Sequence, residues 1–181
     1  MDENQESSRP RSPIQRYFAG LTENTFQSQL GVVDPPLVDY LAELLLRSVR
    51  TDVVHKIRGV TGRPLMSVHE MFAEAAARLG DAKRELHQHI GDFTLFWAGI
   101  YPEALREKEP TESGKFETYR SLGKRSYRIA SEIESAQDGV APGSLLERLS
   151  DRFDLCCYGL REVRRQWESS EGSGPGSILL N

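Results

Sequence analysis

Apolar residues recur at intervals of three and four through most of the chain, a spacing that places them on one face of an α-helix. The longest series runs from Leu145 to Trp167 at steps of four, four, three, four, three and four residues. A seam of that length has to be covered by several other helices. The pattern therefore predicts an all-α fold organised around one long C-terminal helix. Gly123, inside the apolar face of the preceding helix, indicates a close helix–helix crossing.

Residues that start helices divide the middle of the chain further. Asp34 and Pro35 predict the start of a second helix, and Ser67 with Glu70 three residues later predicts the capping box of a third. Thr22 is interpreted as an N-cap that restarts the first helix. Short connections favour antiparallel neighbours. We therefore predict a single-domain antiparallel helical bundle of five to six helices.

Three segments fall outside this periodicity. Residues 1–13 carry no apolar side chain after Met1, and residues 169–181 form a Gly/Ser/Pro-rich segment with an apolar tip. Such segments bury too little surface to offset the entropy of ordering them. Residues 51–66 combine valines with glycines and a proline, which indicates a short irregular or hairpin-like insertion. The predicted organisation is a disordered tail, a bundle domain over residues 14–168, and a flexible C-terminal tail.

Charge and composition narrow the class of protein. The 181 residues include 23 basic and 27 acidic side chains, a net charge of −4, which argues against a dedicated nucleic-acid binder. No apolar stretch approaches the ~18–20 residues that span a bilayer, and the polar, acidic N-terminus is not a signal peptide. The adjacent Cys156 and Cys157 are poorly placed to bond to each other and fit a reducing compartment. These features predict a cytoplasmic protein without a membrane segment.

Four runs stand out within the predicted domain: DPPLVDYLAELLLR, HQHIGDFTLFWAGIYPEAL, GKRSYRIAS and RFDLCCYGLREVRRQWE. They resemble the sequences of an uncharacterised family of small bacterial all-helical proteins. The resemblance extends over most of residues 14–168. It implies one domain and a bacterial cytosolic setting, and it brings no activity with it.

The histidines offer one candidate site. His69, Glu85 and His89 are predicted as a metal site, since imidazole and carboxylate are common ligands. A haem or small ligand held by His89, Phe93 and Trp97 is chemically feasible. The chain has no Glu-x-x-His, so a ferritin-like di-iron site fails on its motif. The alternative is ordinary packing: a partly buried histidine with one hydrogen bond, beside aromatic side chains that belong to the core.

Basic residues offer a second candidate. Arg120, Lys124 and Arg128 are spaced by four and form a basic stripe on the fifth helix, and Arg161 and Arg165 belong to a second basic group on the last helix. If the two groups meet in the fold, they form an anion site for phosphate, nucleic acid or an acidic protein. The alternative is a solvated helix face that nearby glutamates partly neutralise.

The C-terminal tip, Ile178, Leu179 and Leu180, offers a third candidate, a docking peptide on a flexible tether. A short apolar end after a Gly/Ser-rich linker resembles the tails that direct cargo proteins to encapsulin shells. The alternative is a frayed terminus.

No phosphate loop, nucleophile elbow or Ser/His/Asp set is visible, so the sequence favours a protein that is not an enzyme. The leading hypothesis is a helical protein-interaction or regulatory module, without a cofactor, which binds a protein partner. Self-association into a homo-oligomer stays open. The alternative is a bundle that binds a transition metal, a haem or a small ligand in the region of His89, Glu85 and His69.

Overall fold

All regular elements in the computed structural model are helices, over the residues it describes, 12–49, 67–105 and 113–171. The all-α helical bundle predicted from the sequence is thereby confirmed. Residues 51–66, nearly all of the N-terminal tail and the C-terminal tip lie outside the described residues. The elements are α1 (Pro13–Glu23), a π-helical segment (Asn24–Gln29), α2 (Pro35–Val49), α3 (Val68–Ala77), α4 (Gly80–Ile100), a 3-10 turn (Pro102–Leu105), α5 (Ser113–Glu132), α6 (Gly143–Asp151) and α7 (Phe153–Glu171).

Local hydrogen bonds start α2 and α3 where the sequence predicts them. The Asp34 carboxylate accepts from the backbone N–H of Leu37 at 3.3 Å at the start of α2. At α3, the Ser67 hydroxyl accepts from the backbone of Glu70 at 3.1 Å, and the Glu70 carboxylate accepts from the backbone of Ser67 at 3.2 Å. These side chains satisfy N–H groups that have no partner inside the helix. Both predicted starts are confirmed.

The interpretation of Thr22 as an N-cap is wrong. Thr22 is buried inside α1, and the chain continues without interruption into the π-helical segment. Thr25 in that segment donates to the carbonyl of Leu21 at 2.9 Å and accepts from Gln166 of α7 at 3.0 Å. The helical run ends just before Gly31, whose positive φ of 66° suits a residue without a side chain.

The predicted single helix over Leu145–Trp167 is instead two helices, because the chain bends at Arg152. The bend keeps its hydrogen bonds, since the Arg152 backbone donates to Arg148 and accepts from Cys156, each at 2.9 Å. The apolar seam therefore passes through the bend unbroken. Trp167, its last member, is partly buried, and the other six are at most 6 % exposed: Leu145, Leu149, Phe153, Cys156, Leu160 and Val163.

Helices α4 and α5 cross closely because glycines stand at the contact. A Cβ atom on Gly123 of α5 would collide with the Thr94 hydroxyl of α4 and with the Phe153 ring of α7, so the expectation of a close crossing at Gly123 is confirmed. A Cβ atom on Gly91 of α4 would lie 2.6 Å from the ring of Tyr127. The space left by Gly91 admits the Tyr127 ring into the core, where it is fully buried. That placement brings the Tyr127 hydroxyl within hydrogen-bond distance of Asp92 on α4.

Candidate functional site

The carboxylate of Asp92 joins three helices. Its Oδ1 accepts hydrogen bonds from the hydroxyls of Tyr40 on α2 and Tyr127 on α5, both at 2.7 Å. Its Oδ2 accepts from Nη2 of Arg47 on α2 at 3.2 Å. Gln88, one turn before Asp92 on α4, donates from Nε2 to the Tyr40 hydroxyl at 3.0 Å. We call these five residues the Asp92 cluster.

Helix geometry explains why the cluster assembles. Tyr40 and Arg47 are seven residues apart and therefore lie two turns apart on one face of α2. Gln88 and Asp92 are four apart and share a face of α4. Tyr127 reaches Asp92 from α5 because its ring packs directly against the backbone of Gly91, where a side chain would collide with it. Two periodic helices and one small residue thus bring distant polar groups together.

Burial and the neighbouring charges shift the pKa values of the cluster. Burial raises the pKa of Asp92, while the Arg47 charge and the tyrosine hydrogen bonds oppose that rise. Burial, followed by the charge of Asp92, raises the pKa of Tyr40 and of Tyr127 well above 10. Both phenols therefore remain protonated at neutral pH and act as hydrogen-bond donors. The cluster is a fixed set of donors around one carboxylate.

A cavity of about 530 Å³ lies against the Asp92 cluster. Its walls come from α2, from α4, from the α5–α6 loop (residues 133–142) and from the start of α6. We call it the polar cavity. Its lining residues are Pro36, Asp39, Tyr40, Glu43, Arg47, Glu85, Gln88, His89, Asp92, Gly139, Val140, Ala141, Pro142 and Leu145. The volume falls within the range of ~300–1,000 Å³ that is usual for small-molecule sites.

A buried arginine holds the loop wall of the polar cavity in place. Arg84 of α4 is only 3 % exposed. Its Nε donates to the carbonyl of Ile133 at 3.0 Å, and its Nη2 donates to the carbonyl of Ala141. The two carbonyls stand at opposite ends of the α5–α6 loop. The guanidinium therefore fixes both ends of the loop against α4, which keeps the cavity preformed.

A second, smaller cavity of about 190 Å³ adjoins the first. We call it the apolar cavity, since Leu44, Phe93 and Phe96 provide much of its wall. It also shares residues with the polar cavity. The shared residues are Arg47, His89 and Asp92. The two cavities are therefore neighbouring compartments of one region between α2 and α4.

His89 lies at the junction of the two cavities. Burial, and then the nearby charge of Arg47, lower the pKa of His89 to about 4. The ring is therefore neutral at physiological pH. Its Nε2 is buried and has no hydrogen-bond partner among the described residues, so the single hydrogen bond expected of a packed histidine is not found at this nitrogen. The ring stacks on Phe93 with 6.5 Å between centroids.

The predicted cofactor-binding residues are brought together. Phe93, which stacks on His89, also contacts Trp97 with 6.3 Å between centroids. The rings of Phe96 and Tyr101 extend the aromatic group along α4. The three residues His89, Phe93 and Trp97 therefore form one continuous surface of rings. Binding of a haem by this surface stays a prediction.

The three predicted metal ligands are not assembled into a site. Within the described residues, no group of three or more His, Cys, Asp or Glu side chains is arranged to hold a metal ion. Glu85 and His89 both line the polar cavity, whereas His69 is exposed in the first turn of α3. The reason is the orientation of α3, which turns Val68 and Met71 into the core and leaves His69 outside.

The basic stripe on α5 is paired with acidic residues of α6 and α7. Arg120 binds both oxygens of Asp154, at 2.5 and 2.8 Å, and Lys124 binds the same carboxylate at 2.7 Å. Arg128 binds Glu147 at 2.7 Å and also binds Asp151. The hydrogen bonds from Arg120 and Lys124, together with their charges, hold the pKa of Asp154 far below its usual range.

The stripe thus serves as one side of an interhelical set of ion pairs. In the second basic group, Arg165 pairs with Glu162 at 2.6 Å. Arg161 is half-buried, and its Nε has no hydrogen-bond partner among the described residues. The structure gives the predicted anion site no free cluster of cations on α5. The docking tip at residues 178–180 lies outside the described residues.

The two cysteines are both buried and unpaired. Cys156 is part of the apolar seam, as the sequence predicts. Burial is the main cause that raises the pKa of Cys157 to about 12. Neither thiol is therefore an activated nucleophile at neutral pH.

The chain matches no protein-family model, no curated protein and no solved structure. The resemblance to a bacterial helical family therefore stays a prediction. No helix among the described residues has the length and apolar character needed to cross a membrane. What the protein does has to be argued from the chemistry of its own cavities.

Sequence reasoning missed most of the site. It placed His89, Glu85 and the aromatic residues near one another, but it did not consider Asp92, Tyr40, Arg47 and Tyr127 together. One available signal was Asp92 itself, a charged residue beside Gly91 on a helix that is otherwise strongly apolar at its centre. A carboxylate there requires donors from neighbouring helices.

Proposed function

We propose that this protein is a helical binding protein that takes up a small polar ligand in the polar cavity. The observation that carries the proposal is the cavity of about 530 Å³ built against the Asp92 cluster. Small-molecule sites are commonly concave, preformed and provided with a few convergent polar groups. This cavity has all three properties. The proposal develops the ligand-binding alternative raised by the sequence, with Asp92 and Tyr40 in place of His69.

Preorganisation supports the proposal. The Asp92 carboxylate and the Tyr40 hydroxyl are held by partners on three helices, so a ligand meets polar groups whose positions are already fixed. The Arg84 guanidinium anchors the loop on the opposite wall. Little ordering entropy then remains to be lost on binding, which favours affinity.

The test is a thermal-shift screen with defined amines, carboxylates, phosphates, sugars and nucleosides. A ligand at 100 times its Kd stabilises the native state by about 2.7 kcal/mol. For a chain of this length that corresponds to a rise in Tm of roughly 5–10 °C. We expect at least one chemical class to produce such a rise.

A matched pair of variants locates the binding. Val140 lines the polar cavity, and Val140→Trp fills it, whereas Val33 is 92 % exposed before α2 and Val33→Trp adds the same ring elsewhere. We expect Val33→Trp to keep the ligand-induced shift and Val140→Trp to lose it. Ala141→Phe, also in the loop wall, provides a second filling variant, and circular dichroism checks that each is folded. A shift that survives both filling variants, or a screen without any hit, contradicts the proposal.

The protein-interaction function predicted from the sequence stays a prediction. It depends on the basic stripe, which is paired within the fold, and on the C-terminal tip, which lies outside the described residues. No contact within the described residues favours it over ligand binding.

A further inference from the structure

The charge on the wall of the polar cavity is strongly unbalanced. Asp39 and Glu43 stand one turn apart on α2, and Glu85 stands on α4 across the cavity. None of these three carboxylates makes a hydrogen bond or an ion pair with the described residues. All three side chains are exposed to solvent, and like charges one helical turn apart are mutually unfavourable.

The positive charge available to them is already engaged. Arg47 is the cationic residue among the described lining residues, and it donates to Asp92 at 3.2 Å. His89 is neutral at physiological pH, because its pKa is lowered to about 4. Among the described residues, three exposed carboxylates of the cavity lining are therefore without an ion-pair partner. An anionic ligand would be repelled, whereas a cationic ligand would be attracted.

A bare metal ion does not fit this wall. The described residues contain no group of three or more acidic, histidine or cysteine side chains set at metal-binding positions. The carboxylates stand around a volume of about 530 Å³, far larger than one ion needs. A cation that fills such a volume is an organic molecule and not a single ion.

The apolar cavity indicates which chemical group the organic cation carries. It opens beside the polar cavity at Arg47 and His89, and its wall includes Leu44, Phe93 and Phe96. The rings of Phe93 and His89 stack on each other with 6.5 Å between centroids, and both residues form part of its surface. Aromatic and branched apolar groups gain most from burial against such a surface. One molecule with both properties would occupy both compartments.

We propose that this protein binds an organic ammonium ion that carries an aromatic group. The ammonium lies among Asp39, Glu43 and Glu85 in the polar cavity, and the aromatic group lies against Phe93 and Phe96 in the apolar cavity. This inference rests on the proposed function, and it adds the chemical class of the ligand. The carboxylates select for positive charge, and the two phenylalanine rings select for an apolar substituent.

The test is isothermal titration of the full-length protein with four small probes of matched shape. 2-Phenylethylamine carries both the cation and the ring. 2-Phenylethanol keeps the ring without charge, 3-phenylpropionate reverses the charge, and methylamine keeps the cation without the ring. We expect 2-phenylethylamine to bind at least tenfold more tightly than each of the other three, with an affinity that falls as ionic strength rises.

Variants assign each half of the ligand to its compartment. Glu43→Gln and Glu85→Gln should each weaken 2-phenylethylamine several-fold and leave 2-phenylethanol unchanged. Phe96→Ala should weaken both ring-bearing probes. Glu132→Gln, at an exposed glutamate on α5 outside both cavities, is the matched control and should change none of the affinities. The melting temperature of each variant checks that it is folded.

The outcomes separate this inference from the proposed function. If 2-phenylethanol or 3-phenylpropionate binds as tightly as 2-phenylethylamine, the cation inference is overturned while ligand binding stands. If none of the four probes binds but another class in the thermal-shift screen does, the ligand class is wrong and the cavity remains a site. If no compound binds in either experiment, both proposals fall together.

Discussion

Removing one hydroxyl from the Asp92 cluster tests whether it holds the helices together. Tyr127→Phe deletes a single oxygen from a side chain that is fully buried, and the ring keeps its place beside Gly91. The deleted hydroxyl donates to the Asp92 carboxylate at 2.7 Å. Hydrogen bonds to charged groups contribute about 1.5–3 kcal/mol to stability. We therefore expect the free energy of unfolding to fall by about that amount.

The measurement is urea unfolding followed by circular dichroism and tryptophan fluorescence. With a slope of about 1–3 kcal/mol/M, the expected loss shifts the midpoint by roughly 1 M and leaves the slope unchanged. Tyr119→Phe is the matched control on the same helix. Its hydroxyl makes no hydrogen bond to the described residues, so its removal should change stability by no more than about 0.5 kcal/mol.

The coupling between Tyr127 and Asp92 can be measured in the same assay. Asp92→Asn replaces the carboxylate with a neutral amide, so the bond that Tyr127 makes to it becomes an ordinary neutral one. In that background Tyr127→Phe should cost about 1 kcal/mol less than in the native protein. The reasoning is refuted if Tyr127→Phe costs no more than Tyr119→Phe, or if its cost is the same in both backgrounds.

Three further predictions concern packing, protonation and surface charge. Gly91→Ala should destabilise the protein by about 1–3 kcal/mol in thermal unfolding, because the new Cβ meets the Tyr127 ring at 2.6 Å and this outweighs the better helix propensity of alanine. Burial lowers the pKa of His87 and of His89 to about 4, below the unfolded value near 6.5. The stability that the two neutral histidines contribute is therefore complete above pH 6.5 and is lost as the pH falls towards 4. For each histidine, the free energy of unfolding measured in urea should fall by up to about 2 kcal/mol between pH 7.5 and pH 5. The His87→Gln/His89→Gln variant should not show this loss. Asp154→Asn should cost at most about 1 kcal/mol, since its ion pairs are exposed, and should increase retention on an immobilised polyanion at low salt, because the basic stripe loses a bound carboxylate. Unchanged retention would contradict the account of the stripe as an internally paired surface.

The parts of this fold that the sequence predicts are those set by local interactions. The caps at Asp34 and Ser67 act over three residues, and the apolar seam repeats within a single turn, so each is visible in a short window. The bend at Arg152 is not visible, because one residue of altered geometry leaves the three- and four-residue spacing intact on both sides. Periodicity reports which face is buried, and it does not report whether the helix is straight.

The parts of the site that the sequence did not predict depend on distant partners. Tyr40 and Asp92 are 52 residues apart, and Tyr127 and Asp92 are 35 apart. The pairing of Arg120 with Asp154 spans 34 residues. Which helices face each other decides these contacts, and no window along one chain contains that information. The sequence did not reveal the acidic partners of the basic stripe, or the hydrogen bonds of the Asp92 cluster, for this one reason.

Stability alone does not explain why polar groups stand where α2, α4 and α5 meet. A partly buried ion pair such as that of Arg47 with Asp92 contributes little net stability, because the charges must first lose part of their hydration. Leucine-like side chains in place of Asp92 and Arg47 would join the helices about as well. What apolar residues would not provide is a rigid polar wall beside a cavity, and that is the property the Asp92 cluster has. The proposed ligand-binding function gives this arrangement a reason, because a ligand in the polar cavity would contact the polar surface that the cluster holds in place.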